Sequence, residues 1–166
     1  MPPETDNLKL EEIFSEDQRD RERVYDTPED VSKLKERDKN RRKRIYVMMD
    51  LGEVRTKRDL YHAAVILQHG DDPSDFLTSH RLAALAAILG HRTSRWLMAA
   101  ALDRYLMSIG QGQVYGTQFE YNPADKRYQL KLPVLEALIL PFEKETLGVP
   151  AVNDRLAQLN NQLQKK

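Results

Sequence analysis

An aspartate and an arginine, Asp103 and Arg104, stand side by side in a segment otherwise made of Ala, Leu, Met and Tyr. With Trp96 at zero on a helical wheel of about 100° per residue, Ala100, Asp103 and Met107 fall within roughly 40° of it. Arg104 stands beside Ala100 and Leu97, while Met98, Tyr105 and Ile109 occupy the opposite side. No face is polar, so such a helix is buried on most sides. Asp103 and Arg104 must then either find partners or line a wetted cleft, because an unpaired buried charge costs several kcal/mol. Two outcomes stay open: a structural ion-pair network, or a ligand or catalytic site.

A second helix carries the same anomaly. His62 and His69 are seven residues apart, hence on one face, among Ala, Val, Ile and Leu, and Gln68 lies near Tyr61 and Val65. Seven residues separate the imidazoles by about 10.5 Å along the axis, too far to share an ion comfortably. No metal is expected. His69, next to a helix-ending Gly70, is the better acid–base candidate, since free imidazole titrates near neutrality. Downstream, Gln113, Tyr115, Thr117 and Gln118 crowd a glycine-rich stretch.

The elements that must position these groups are legible in outline. Leu8, Leu10, Ile13 and Phe14 lead a short amphipathic helix over 8–23. "DTPED" at 26–30 starts the next, with Thr27 as cap and Pro28 leading, and Gly52 ends it after Leu51. Leu34, Asp38, Arg41, Ile45 and Met48 share one side of it. Thr56 with Asp59 caps a helix that stops at Gly70. Asp72 and Pro73 start one that ends at Gly90, and a further helix spans Thr93 to Ile109 before Gly110. The Ala-rich helices 73–89 and 94–109 read as a close-packed pair. Beyond Gly110 the period becomes two. "VYGTQFEY" and "KRYQLKL" flank the turn "NPAD", which predicts a β-hairpin. A last helix covers 151–163, with Val152, Leu156 and Leu159 inward.

The fold class expected is mainly α: a compact helical domain of five or six helices with one β-hairpin. It forms a single domain over 1–166, with 1–7 disordered, charged N-terminal helices over 8–51, a core over 56–132 that carries the site, and a C-terminal helix within 150–166. The hairpin is expected to pack over helix 94–109.

Composition narrows the function classes. The chain has 166 residues, 40% hydrophobic and 31% charged, with zero formal net charge, so it suits a soluble core and offers no general attraction to nucleic acid or anionic membrane. The absence of cysteine excludes disulfides, thiolate metal sites and cysteine nucleophiles. No apolar run approaches the roughly 20 residues of a membrane span. "MPPETDNLKLEE" lacks the basic and apolar parts of an export signal. Cytoplasmic is therefore the expectation, although a chain stripped of its leader would read the same. "RDKNRRKR" at 37–44 wraps its charges around a helix and reads as a solvated face rather than a nucleic-acid stripe.

The stretches "DLYHAAVILQHGDDPSDFLTSHRLAALAAILGH" and "WLMAAALDRYLMSIGQGQVYGTQF" resemble a bacterial domain family of unknown function, family 6624 of that series. Its pattern is a QH pair ending a helix, an Ala-rich helix, a DR pair, and then G–x–x–Q–x–(Y/F)–G–T–Q. Here these are Gln68-His69, Asp103-Arg104, and Gly110, Gln113, Tyr115, Gly116, Thr117 and Gln118. The upstream "RDKNRR…TKRDLYHAA" resembles a branch with Asp59 and His62. The resemblance spans roughly residues 10–122 and the tail "LGVPAVNDRL". It implies no known chemistry, but it implies that the polar residues form one constellation.

Three functions fit. In a cofactor-independent enzyme acting on a small polar or peptide-like substrate, His69 is general acid or base and Asp103 its orienting partner. Arg104 anchors an anion there, and Gln118 positions substrate, with Gln68, Gln113, Tyr115, Thr117 and His62 bordering the site. No Ser, Lys or Tyr adjoins His69 as nucleophile; Tyr115 and Thr117 are the nearest in kind. Alternatively, the same residues bind a peptide or small ligand without catalysis. In the third, they form a structural network and the charged first helices bind a protein. Substrate, partner and oligomeric state are unread at this level.

Overall fold

The computed structural model describes residues 5–23, 25, 27–135 and 138–163. Among them are seven helices: α1 (Leu8–Glu22), α2 (Pro28–Asp50), α3 (Lys57–Leu67), α4 (Pro73–Ile88), α5 (Ser94–Ser108), α6 (Glu143–Leu147) and α7 (Val152–Leu163). One antiparallel hairpin, β1 (Phe119–Asn122) with β2 (Arg127–Leu130), follows α5. The short α6 had no counterpart in the sequence reading. No described helix is long and apolar enough to cross a membrane.

The helix starts obey local chemistry. Thr27 accepts from the Asp30 amide and Asp72 from that of Ser74, each ahead of a proline. Thr56 and Asp59 form a reciprocal capping box, which satisfies amides that have no partner within the helix. Residues 1–7 were expected to be disordered; 1–4 lie outside the described residues, but Asp6 and Asn7 are held. The Thr56 hydroxyl donates to Asp6 at 2.7 Å, and the Asn7 amide donates to Asp59 at 2.8 Å.

Helix α3 is the axis of the fold. Its apolar residues are buried all round, and α1, α2, α4 and α5 pack on it. The core joins Leu10 and Ile13 of α1, Ile45 of α2 and Leu97 of α5 to it. Helices α4 and α5 pair closely through Ala83, Ala86, Ala99 and Ala100, all essentially inaccessible; small side chains let the backbones approach. Gly70 follows α3, yet it does not adopt a left-handed backbone. A Cβ there would meet Asp75 Oδ2 at 2.3 Å, so it is the close approach of that carboxylate that demands glycine.

Two expectations after Gly110 need correction. The strands begin later than the alternation suggests, at Phe119, because the amides of Val114, Tyr115 and Thr117 are bound elsewhere. The hairpin also does not lie on α5. It rests on α7, where the Asn160 side chain accepts from the Tyr128 amide at 2.7 Å and donates to its carbonyl at 3.3 Å. What covers α5 is the loop leading into the hairpin.

Candidate functional site

That loop is organised by Asp103. Its carboxylate is completely buried. Oδ1 accepts from the amides of Val114 at 2.7 Å and Tyr115 at 3.0 Å, and Oδ2 accepts from the Thr117 amide at 3.0 Å and the Thr117 hydroxyl at 2.7 Å. Four donors converge because the backbone turns at Gly116, with φ of +74°, a region open to glycine at little cost. Gln113, also inaccessible, closes the loop from the other side. Its Oε1 accepts from the Gln118 amide at 2.9 Å, and its Nε2 donates to the carbonyls of Gln118 and Lys131. Both side chains are saturated by the protein itself.

Asp103 is therefore not the orienting partner of His69. That partner is Asp17 of α1, fully buried, whose Oδ1 lies 3.1 Å from His69 Nδ1. Burial alone would raise the Asp17 carboxyl. The hydrogen bond and charge of His69, with Arg21 and Arg41, outweigh that and hold it below its usual range. An ionised carboxylate can only accept, so Nδ1 is the nitrogen that donates to Asp17. The His69 side chain retains 19% of its exposure.

Asp17 opens a wider network between α1 and α2. Arg41, nearly inaccessible, reaches Asp20 at 2.8 Å and Asp38 at 2.6 Å, and its Nε lies 3.7 Å from Asp17. Arg21 bridges Asp17 at 3.1 Å and Asp38 at 2.7 Å. Burial would raise Asp20 too, but bonds from Arg37 and Arg41 bring it to about 2. Arg42 donates to the His69 carbonyl at 3.2 Å and pairs with Asp75 at 3.1 Å. Much of the basic run 37–44 thus faces inward in ion pairs, against the solvated-face reading. Only Lys39, Asn40, Lys43 and Arg44 are exposed.

Arg104 joins the two assemblies. Its Nη1 donates to the Gln68 carbonyl at 3.0 Å, at the end of α3 beside His69. It is thus the backbone of Gln68, not its amide side chain, that makes the contact. Burial and the positive charge of Arg21 both lower the Arg104 pKa. Arg104 also borders a cleft of about 380 Å³ together with Gln118. Gln118 Nε2 donates to the Ala100 carbonyl at 3.2 Å and to Thr117 Oγ1 at 2.9 Å. The single constellation expected of His69, Gln68, Gln118 and Thr117 is therefore two adjoining sites that share Arg104.

Two expected members stand elsewhere. His62 is 5% exposed and stacks on Phe14 with centroids 4.0 Å apart. Burial, aided by Arg58, pushes it down to about 4; it is a neutral core residue. Tyr115 is half-buried, its hydroxyl pushed up by burial and by the charges of Glu143 and Asp103, so it is a poor nucleophile. No group of three or more His, Asp or Glu among the described residues could hold a metal ion.

Asp17, Asp20, Arg21 and Arg37 were missed. A signal existed: Leu10, Ile13, Asp17 and Asp20 recur at helical spacing, so the apolar stripe of α1 runs on as carboxylates. Charges on a core-facing stripe call for buried partners. Compared with known proteins, the chain matches no family model, no curated protein and no solved structure.

Proposed function

We propose that the chain is a cofactor-independent enzyme acting on a small polar substrate, with His69 as general acid or base. Asp17 orients it, Arg104 anchors the substrate and Gln118 positions it. The observation that carries this reading is the His69–Asp17 pair: a buried, ionised carboxylate accepts from Nδ1 and orients an imidazole that keeps part of its exposure. That is the base-and-orienter half of many acid–base sites. Asp103 binds the YGT segment, Arg104 binds the QH carbonyl, and Gln113 binds Gln118.

The test is incubation with a mixture of small polar metabolites in the presence of a chelator, read by mass spectrometry. Wild type is expected to consume at least one component and His69→Gln none. Turnover that survives in His69→Gln, or that requires added metal, overturns the proposal. A second reading, a binding module with a structural polar network, is favoured by the saturation of Asp103 and Gln113. It predicts a retained ligand and no turnover.

A further inference from the structure

The buried charges of α1 and α2 are compensated within the protein; Arg104 is not. Among the described residues no carboxylate lies within ion-pair distance of it, and its Nε is buried without a hydrogen-bond partner. Of its five N–H groups, the bond to the Gln68 carbonyl uses one. A half-buried arginine with a buried Nε is ordinarily paired, because an unpaired guanidinium withdrawn from water costs free energy. The cleft it borders holds a second cation, Lys131, which also has no ion-pair partner among the described residues, and no Asp or Glu lines that cleft. The remaining walls are the apolar Phe76, Met107 and Phe119, with Ser108 and Gln118. Gln118 uses its Nε2 on the protein, while its Oε1 accepts nothing among the described residues. The cleft therefore offers two positive groups, one free acceptor and an apolar wall. Its volume of about 380 Å³ suits a small molecule.

We propose that this cleft binds a small organic anion. Arg104 and Lys131 hold the charged group, and Phe76, Met107 and Phe119 hold an apolar flank. This rests on the reading of Arg104 as the substrate anchor and narrows the substrate of that site to an anion. Phosphate and carboxylate share the required chemistry: acceptor oxygens on a compact negative group, which a guanidinium grips through parallel N–H donors and an ammonium attracts as a point charge. The apolar wall disfavours a fully hydrated inorganic ion, since covering it with a ligand's own apolar surface is what adds affinity.

The test is calorimetric titration of wild type with phenyl phosphate, benzoate and inorganic phosphate at matched ionic strength. At least one aromatic anion is expected to bind about tenfold more tightly than inorganic phosphate, and which one does separates phosphate from carboxylate recognition. Lys131→Met should weaken that binding by about tenfold, the loss of one charge-assisted contact. This variant keeps its fold, because the hydrogen bonds of Lys131 are made by its backbone amide and carbonyl. Arg104→Gln should abolish binding. Equal affinity in wild type and Lys131→Met overturns the proposal, as does inorganic phosphate matching both aromatic anions, or the absence of binding by all three. The outcomes separate from those of the enzyme reading. His69-dependent turnover of a neutral metabolite, without anion binding, sinks this inference alone. Anion binding with turnover indifferent to His69→Gln sinks only the acid–base assignment.

Discussion

Asp103 and Asp17 are both completely buried carboxylates on helices, yet they hold different things. Asp103 gathers three backbone amides and a hydroxyl from one loop. All of its donors are neutral, and none leads outward. Asp17 gathers side chains from two parts of the chain, Gln18 and Arg21 of its own helix and His69 beyond α3, with Arg41 of α2 close by, and His69 is partly exposed. A carboxylate that organises backbone makes shape. A carboxylate that organises side chains makes a polar network, here one that ends at a partly exposed imidazole. The residue type and the burial are the same; the donors decide the role.

The largest effect should come from breaking the shape-making side. Asp103→Ala leaves the amides of Val114, Tyr115 and Thr117 buried or half-buried without an acceptor. It should cost about 4 kcal/mol, the sum of several unmet hydrogen bonds. Denaturant unfolding measures it, and a wild-type midpoint would show that the loop stands without its carboxylate.

Acid should next expose the cost of the neutral imidazole in the core. His62 titrates near 6.5 when unfolded and about 4 in the fold. Above pH 6.5 both states are neutral and nothing is lost. As pH falls toward 4 the unfolded chain gains a proton that the folded chain does not, so stability drops by roughly 3 kcal/mol. His91, also lowered by burial, adds in the same direction. His62→Phe keeps the stack on Phe14 and should flatten the fall between pH 6.5 and 4; an unchanged slope in urea midpoints refutes the assignment. The lowered Asp17 and Asp20 act in a separate window. Their contribution is complete above about 3.8 and fades as pH falls through the folded value, about 2 for Asp20.

Asp17→Asn should be milder than Asp103→Ala, about 2 kcal/mol, because Arg41 keeps Asp20 and Asp38 and Arg21 keeps Asp38. The smallest effect belongs to His69→Gln, below about 1 kcal/mol for a partly exposed group. If thermal unfolding shows His69→Gln to cost as much as Asp103→Ala, the contrast between the two carboxylates collapses and the His69 pair is structural too.

Much of the architecture was legible. Each long helix carried a cap, a leading proline or a trailing glycine, and these act on neighbours within four residues, where sequence spacing is spatial spacing. Reading Asp103 as a buried charge that needs partners also held, since a helical wheel needs only local geometry; Arg104 is half-buried and bonds a single carbonyl. The partners could not be read that way. Asp17 and His69 are 52 positions apart, and no periodicity relates α1 to the end of α3. The strands were overextended for a related reason. The 114–118 segment has strand-like alternation, and only the position of Asp103 reveals that the amides of Val114, Tyr115 and Thr117 are taken by a carboxylate instead of a neighbouring strand.

Which groups must be satisfied inside this protein was therefore determined by its sequence alone: residue type and helical period set that a carboxylate, a guanidinium and two amides lie among apolar side chains. Which group satisfies which was decided by the tertiary packing. A buried carboxylate accepts equally well from an amide, an imidazole or a guanidinium, and the choice depends on which donor the chain brings within about 3 Å. Packing α1 against α3 gave Asp17 the imidazole of His69, and folding the loop at Gly116 gave Asp103 its amides.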